Sequence, residues 1–169
     1  SEMLSKDKGV SNTRPSRFEF PLNMWYVAAL SDEISTKPLK REMLNEPIVL
    51  FRTEEGEIGA LEDRCCHREL PLSLGSVEQS GLRCGYHGLL FNCSGECIEI
   101  PGQEIIPERA KVRSYFIIEK APLVWIWFGS EYDLEPTQPP PEYDVHDDDR
   151  YLYGGDVYHY DAPYQLVHD

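Results

Sequence analysis

Apolar residues fall in short, separated runs along the chain, and most of these runs are strand-sized. Met24-Trp25-Tyr26-Val27-Ala28-Ala29 is apolar and β-prone, and Val124 to Phe128 is the greasiest stretch. Ser31-Asp32-Glu33-Ile34 predicts one short helical turn, with Ser31 or Asp32 as its cap. Leu39 to Leu44 and Ile48 to Thr53 predict two arms of a hairpin around Asn45-Glu46-Pro47. Glu54-Glu55-Gly56-Glu57 predicts a further turn, and Ile58 to Leu61 the next strand. A last pair is expected from Val112 to Glu119 and Leu123 to Phe128. Trp125 and Trp127 alternate with Ile126, so both rings share one face of their strand and read as core. Short strands at this spacing, with Gly and Pro turns, predict an all-β fold: an antiparallel β-sandwich or small barrel.

A different tract interrupts these strands. Residues 63 to 103 contain all five cysteines and His67 and His87. The tract predicts its own strands at Gly81 to Cys84, Leu89 to Phe91 and Cys97 to Ile100, with a tight turn at Ser94-Gly95. It reads as an inserted subdomain. After Gly129 the composition changes again. Residues 131–150 are acidic and proline-rich, including Pro139-Pro140-Pro141, and read as a linker. Residues 151–169 predict one strand (Tyr151 to Tyr160) and a helix start after Pro163, the opening of a second domain. Residues 1–17 are polar and read as a disordered leader, which leaves residues 18–130 as the main domain.

Composition narrows the function. The 169 residues are 41% hydrophobic, enough for a packed core. The formal net charge of −14 repels phosphate backbones and disfavours nucleic-acid or anionic-membrane binding. Such a surface suits a partner with a basic docking face, and it also serves simple solubility. No apolar run approaches the roughly 20 residues a membrane helix needs. The N-terminus lacks the apolar core of a signal peptide, so a cytoplasmic location is expected. In that compartment an odd set of five cysteines points to metal or catalysis before disulfides.

Their spacing carries the chemistry. Cys65-Cys66-His67 is a Cys-x-His box and Cys84-Gly85-Tyr86-His87 a Cys-x-x-His box, with sixteen residues between them. Two thiolates and two imidazoles on two loops can hold a metal centre. A 2Fe–2S unit with a Cys pair on one iron and a His pair on the other needs two fingers, each supplying one Cys and one His. Cys65, His67, Cys84 and His87 meet that need. Neutral imidazoles leave less negative charge on their iron than thiolates, so such centres lie at about −150 to +300 mV, against about −400 mV for all-cysteine plant-type clusters. Gly85 and Gly88 would let backbone N–H groups approach the sulfurs. Tyr86 can offer its hydroxyl to a sulfur, and Ile100-Pro101-Gly102 predicts a third, rigid loop over the cluster.

These boxes resemble the two signature boxes of the Rieske family. More closely, the chain resembles the N-terminal part of the oxygenase component of Rieske non-haem iron oxygenases, in the subgroup of vanillate-type and dicamba-type O-demethylases. The matching stretches are Asn23 to Ala29, Asp63 to Arg68, Pro71-Leu72-Ser73-Leu74-Gly75, Leu82 to Gly88, and Trp125-Ile126-Trp127. The resemblance covers about Phe20 to Asp169 and implies a Rieske-type fold with residues 63–103 as cluster-binding subdomain. It implies electron transfer, with electrons arriving from a reductase or ferredoxin at the His-ligated iron. In the complete family member they pass to a mononuclear non-haem Fe(II), usually in a neighbouring subunit of a homotrimer. That iron activates dioxygen for hydroxylation or O-demethylation of an aromatic compound. Two departures stand out. Cys66 occupies a position often held by proline. The family motif Asn-x-x-Asp-x-x-His-x-x-x-x-His has no counterpart, so residues 151–169 read as the start of a truncated catalytic domain and the chain should not be an oxygenase alone.

Other readings remain beside this one. The four ligands could form a structural zinc site, although zinc fingers usually space their pairs differently and build on a helix. The chain could be a stand-alone Rieske ferredoxin, against which the tail after Tyr151 argues, or a metal-stabilised binding module. Cys66, Cys93 and Cys97 are expected to be reduced and inert. His146, His159 and His168 read as surface or packing residues, and Arg68 as a docking or salt-bridged residue.

Overall fold

The computed structural model describes residues 20–66 and 70–142. These residues form β1 (Met24–Leu30), β2 (Leu39–Met43), β3 (Glu46–Arg52), β4 (Ile58–Glu62), β5 (Ser76–Val77), β6 (Gly81–Arg83), β7 (Leu90–Asn92), β8 (Cys97–Glu99), β9 (Ile117–Lys120) and β10 (Leu123–Phe128). The strands pair antiparallel in three sheets, ordered β1-β10-β9, β2-β3-β4 and β5-β6-β7-β8. Two short 3-10 helices, Ser31–Glu33 and Leu72–Leu74, are the only helical elements among the described residues. No helix among them is long and apolar enough to cross a membrane. The fold is all-β, as the strand pattern predicts.

Alternation along β3 decides how the layers stack. Successive side chains of a strand point to opposite faces. Ile48 and Leu50 enter one buried cluster with Ala60, Tyr26, Val124, Ile126 and Phe128. Val49 and Phe51 point the other way, into a second cluster with Leu61, Leu72, Leu82, Phe91, Cys65, Cys84 and Cys97. The β2-β3-β4 sheet is therefore the middle layer. It packs the β1-β10-β9 sheet on one side and the cysteine-bearing lobe on the other. Full burial of apolar side chains of this size contributes roughly 1.5–3 kcal/mol each before entropy is counted.

β10 is buried along its whole length. Trp125 and Trp127 lie with Trp25, Val27 and Leu123 on the face away from the middle layer, in a third cluster. Trp25 and Trp127 meet edge to face at 5.4 Å. The tract after Gly129 is tied back onto the strands: Trp25 Nε1 donates to the Gln138 carbonyl at 2.7 Å, and Pro140 is buried. Tyr132 also donates its hydroxyl to Glu46 at 2.5 Å, and the Arg113 guanidinium sits 4.0 Å over the Tyr132 ring. Residues 131–142 thus carry no regular element yet lie against the sheets. Residues 1–17 and 151–169, and with them the expected leader, the second-domain strand and helix, His146, His159 and His168, fall outside the described residues.

The structure corrects several element boundaries. The hairpin turn is Leu44-Asn45, both at positive φ (51° and 60°), and β3 already begins at Glu46. Pro47 pairs with Glu42 inside the ladder instead of sitting in the turn. The 3-10 helix at Ser31 is capped one residue earlier than expected: the Leu30 N–H donates to Glu33 Oε1 at 2.9 Å. β9 starts at Ile117, not at Val112. Residues 110–116 change partner too often to form a ladder. Cys97 N–H donates to the Ala110 carbonyl and Val112 N–H to the Gly95 carbonyl. Glu62 N–H donates to the Arg113 carbonyl, Tyr115 N–H to that of Ala60, and Trp127 N–H to that of Phe116. One irregular tract therefore stitches all three sheets together.

Candidate metal centre

The two expected fingers share one construction. Cys65 N–H donates to the Leu70 carbonyl at 2.7 Å, and Cys84 N–H to the Leu89 carbonyl at 2.8 Å. Each cysteine thus closes a loop on the residue five positions further on. The second loop is tightened by Gly88 N–H donating to the Cys84 carbonyl at 3.2 Å. Gly88 has φ +75°, a conformation that costs little only without a Cβ. A Cβ there would also press within 3.0 Å of Pro101, so the Ile100-to-Gln103 turn packs directly against this finger.

The bases of both fingers cross closely. Gly75 lies against the end of β6, where a Cβ would fall 1.9 Å from the Arg83 carbonyl. No other residue fits there without moving backbone. Gly85 faces the Leu74 carbonyl, which a Cβ would meet at 3.2 Å. Its small size thus serves the packing of one finger on the other. Buried Asp63 locks the first finger: Ser73 donates to it through both its N–H and its hydroxyl, each at 2.7 Å. The sequence offered a signal for this clamp, a carboxylate and a hydroxyl flanking the Cys-x-His box, but spacing alone did not pair them.

Cys65 and Cys84, 2% and 3% exposed, belong to the same apolar cluster, on the far side of the middle sheet from the tryptophans. His87 is exposed, and its ring meets that of Tyr86 at 4.1 Å in an edge-to-face contact. It borders a cleft of about 720 Å³ with Cys66, Ile100 and Pro101. His67 and Arg68 lie outside the described residues. Among those described, no three His, Cys, Asp or Glu side chains surround one point. A binuclear centre asks for something else, thiolates on one iron and imidazoles on the other. Two soft thiol donors on an apolar bed, with an imidazole at the rim, fit that division of ligands.

The remaining cysteines do not pair. All five are free. Burial, reinforced by the Glu57 carboxylate, pushes the Cys93 thiol up to about 12. Burial also raises Cys97, whose sulfur lies 3.4 Å from the Glu99 carbonyl. Both are held as thiols at neutral pH, which agrees with an inert role. Cys66 is exposed at the edge of the cleft.

Comparison with known proteins gives this arrangement its class. Residues 24–115, more than half of the chain, match the model of the Rieske [2Fe-2S] domain family. The chain belongs to that family, and the family's cofactor is a 2Fe–2S cluster. It is 48% identical over 155 residues to a putative toluene-4-sulfonate monooxygenase system iron-sulfur subunit from Comamonas testosteroni, covering 87% of this chain and 42% of that protein. It is 41% identical over 152 residues to a vanillate O-demethylase oxygenase subunit from Pseudomonas sp. (strain HR199 / DSM 7063), covering 89% and 42%. A crystal structure of dicamba monooxygenase superposes with a TM-score of 0.65 at 42% identity, over 70% of this chain and 38% of that one. The chain thus spans well under half the length of these relatives. The likeness to vanillate-type and dicamba-type oxygenase components holds, and the toluene-4-sulfonate system joins them.

Proposed function

We propose that Cys65, His67, Cys84 and His87 hold the 2Fe–2S cluster, and that the chain serves as the electron-transfer domain of an aromatic-compound oxygenase. The observation that carries this is the polarity of the site: two buried thiols in one apolar cluster and an exposed imidazole at its rim. When bound, the cluster supplies one-electron redox chemistry at a potential raised by its histidines. The chain's own residues do the rest. The apolar bed of Val49, Phe51, Leu72 and Leu82 excludes water from the sulfurs. His87 brings an imidazole edge to the surface beside Tyr86, 57% exposed. A reductase or ferredoxin donor would meet the protein there. Acting within an oxygenase of its relatives' kind, a homotrimer, the domain would supply its electron to a mononuclear non-haem iron that serves hydroxylation or O-demethylation. A cytoplasmic setting suits five cysteines with no disulfide among them.

The test is metal and sulfide analysis with electron paramagnetic resonance of the dithionite-reduced protein, purified without air. Two irons and two labile sulfides per chain, with a rhombic signal of lower average g than all-cysteine clusters give, is the expected result. Zinc in a silent sample would reduce the four residues to a structural clasp.

A further inference from the structure

Arg83 immediately precedes Cys84, yet its guanidinium turns back across the second finger. One terminal nitrogen donates to the Gly88 carbonyl at 2.5 Å, beyond the far end of the Cys-x-x-His box. Nε and the other terminal nitrogen donate to the two Glu78 oxygens at 2.5 and 2.8 Å, and that second nitrogen also donates to Glu99 at 2.7 Å. Glu78 lies in the connection between β5 and β6, and Glu99 on β8. One side chain therefore ties two separate parts of the lobe to the end of the loop that carries Cys84 and His87.

We infer that Arg83 is the positioning residue of the second finger, fixing the Cys84–Gly88 loop from behind and balancing the carboxylates beside it. The inference rests on the ligand assignment above. An ordinary surface ion pair contributes little and needs no fixed geometry. This one differs in two respects. The Arg83 side chain is only 23% exposed. One of its donors is spent on a backbone carbonyl belonging to a residue held at φ +75°. A planar fork serves three partners at once, which a lysine ammonium on a flexible stem does not do with the same fixed geometry. The charge count is two carboxylates against one guanidinium. Loss of the guanidinium leaves both carboxylates unbalanced, and extra negative charge disfavours uptake of an electron nearby.

Four forms of the 169-residue chain separate geometry from charge: wild type, Arg83→Met, Arg83→Lys and Glu99→Gln. Three readouts apply: midpoint potential by redox titration, iron release to a chelator, and amide exchange at residues 84–89. Arg83→Met is expected to lower the midpoint and release iron about 10–100-fold faster, the usual loss when a partner behind a ligand is removed. Arg83→Lys should restore the midpoint but not the slow release. Glu99→Gln should raise the midpoint and keep release near wild type. Exchange at Cys84 and Gly88 should rise in both arginine variants. Wild-type midpoint, release and exchange in Arg83→Met would overturn the inference. If Arg83→Met does not accumulate, Arg83→Lys and Glu99→Gln decide it, and midpoints and release equal to wild type in both overturn it. If the wild-type chain itself holds no 2Fe–2S cluster, the ligand assignment fails separately. Exchange at residues 84–89 then judges Arg83 alone, and unchanged rates sink it.

Discussion

The two halves of this molecule are held together differently. The base sheets use strands of up to seven residues, with β3 buried on both faces and β10 buried throughout. The cysteine lobe has strands of only two or three residues. Strands that short bury little area and make few ladder bonds, so the lobe leans on point fastenings: Asp63 with Ser73, and Arg83 with Glu78, Glu99 and Gly88. Its apolar cluster is also completed by side chains of the base, Val49, Phe51 and Leu61. The base supplies part of the apolar floor against which Cys65 and Cys84 pack, and the second finger carries His87 to the surface. That division leaves the lobe free to put its tip at the surface without loosening the core.

The largest expected break is chemical. Cys65→Ser or Cys84→Ser should reduce bound iron by at least about tenfold, since ligand loss exceeds the 10–100-fold cost of losing an outer partner. The base should keep its strand circular dichroism, because its main cluster contains neither residue. Iron analysis beside a thermal melt checks both halves at once, and a base that unfolds in step with iron loss would erase the distinction. Trp125→Ala should do the reverse. Emptying a buried indole site costs about 3–5 kcal/mol, read in a denaturant midpoint, with the iron-to-folded-protein ratio unchanged. Asp63→Ala should cost about 1–3 kcal/mol through the unpaired Ser73 donors, and speed iron release more than it lowers base stability. Amide exchange resolved by segment would measure that difference.

The smallest effect is a pH term in the base. Its hydrogen bond from Arg52 holds the Glu119 carboxyl below its ordinary value near 4.5. A carboxyl lowered on folding stabilises fully above its unfolded value, and that contribution is lost as pH falls through the folded one. Glu119→Gln should therefore flatten acid unfolding below about pH 4.5, by no more than about 1 kcal/mol for so exposed a pair. Acid titration curves of both proteins that run parallel would remove the pair from the account.

Local signals made much of this legible. Met24 to Leu30 and Leu123 to Phe128 are strands because dense apolar, β-prone runs of that length satisfy a sheet and nothing else here. The Cys-x-His and Cys-x-x-His boxes, the proposed ligand pairs, were legible because each pair on one loop is a matter of neighbouring residues. The misplaced boundaries at Glu46 and Val112 arose where a positive-φ pair or a change of sheet partner overrode composition.

The sequence by itself therefore determined the all-β class, the two boxes and the family. Strand periodicity and ligand spacing act over a few residues, so they are written in order along the chain. Only the tertiary structure decided that Asp63 grips Ser73, that Arg83 reaches past Cys84 to Gly88, and that one irregular tract joins three sheets. Those contacts depend on which way a side chain turns once neighbouring strands are packed, and on burial that removes competing water. No spacing rule encodes either.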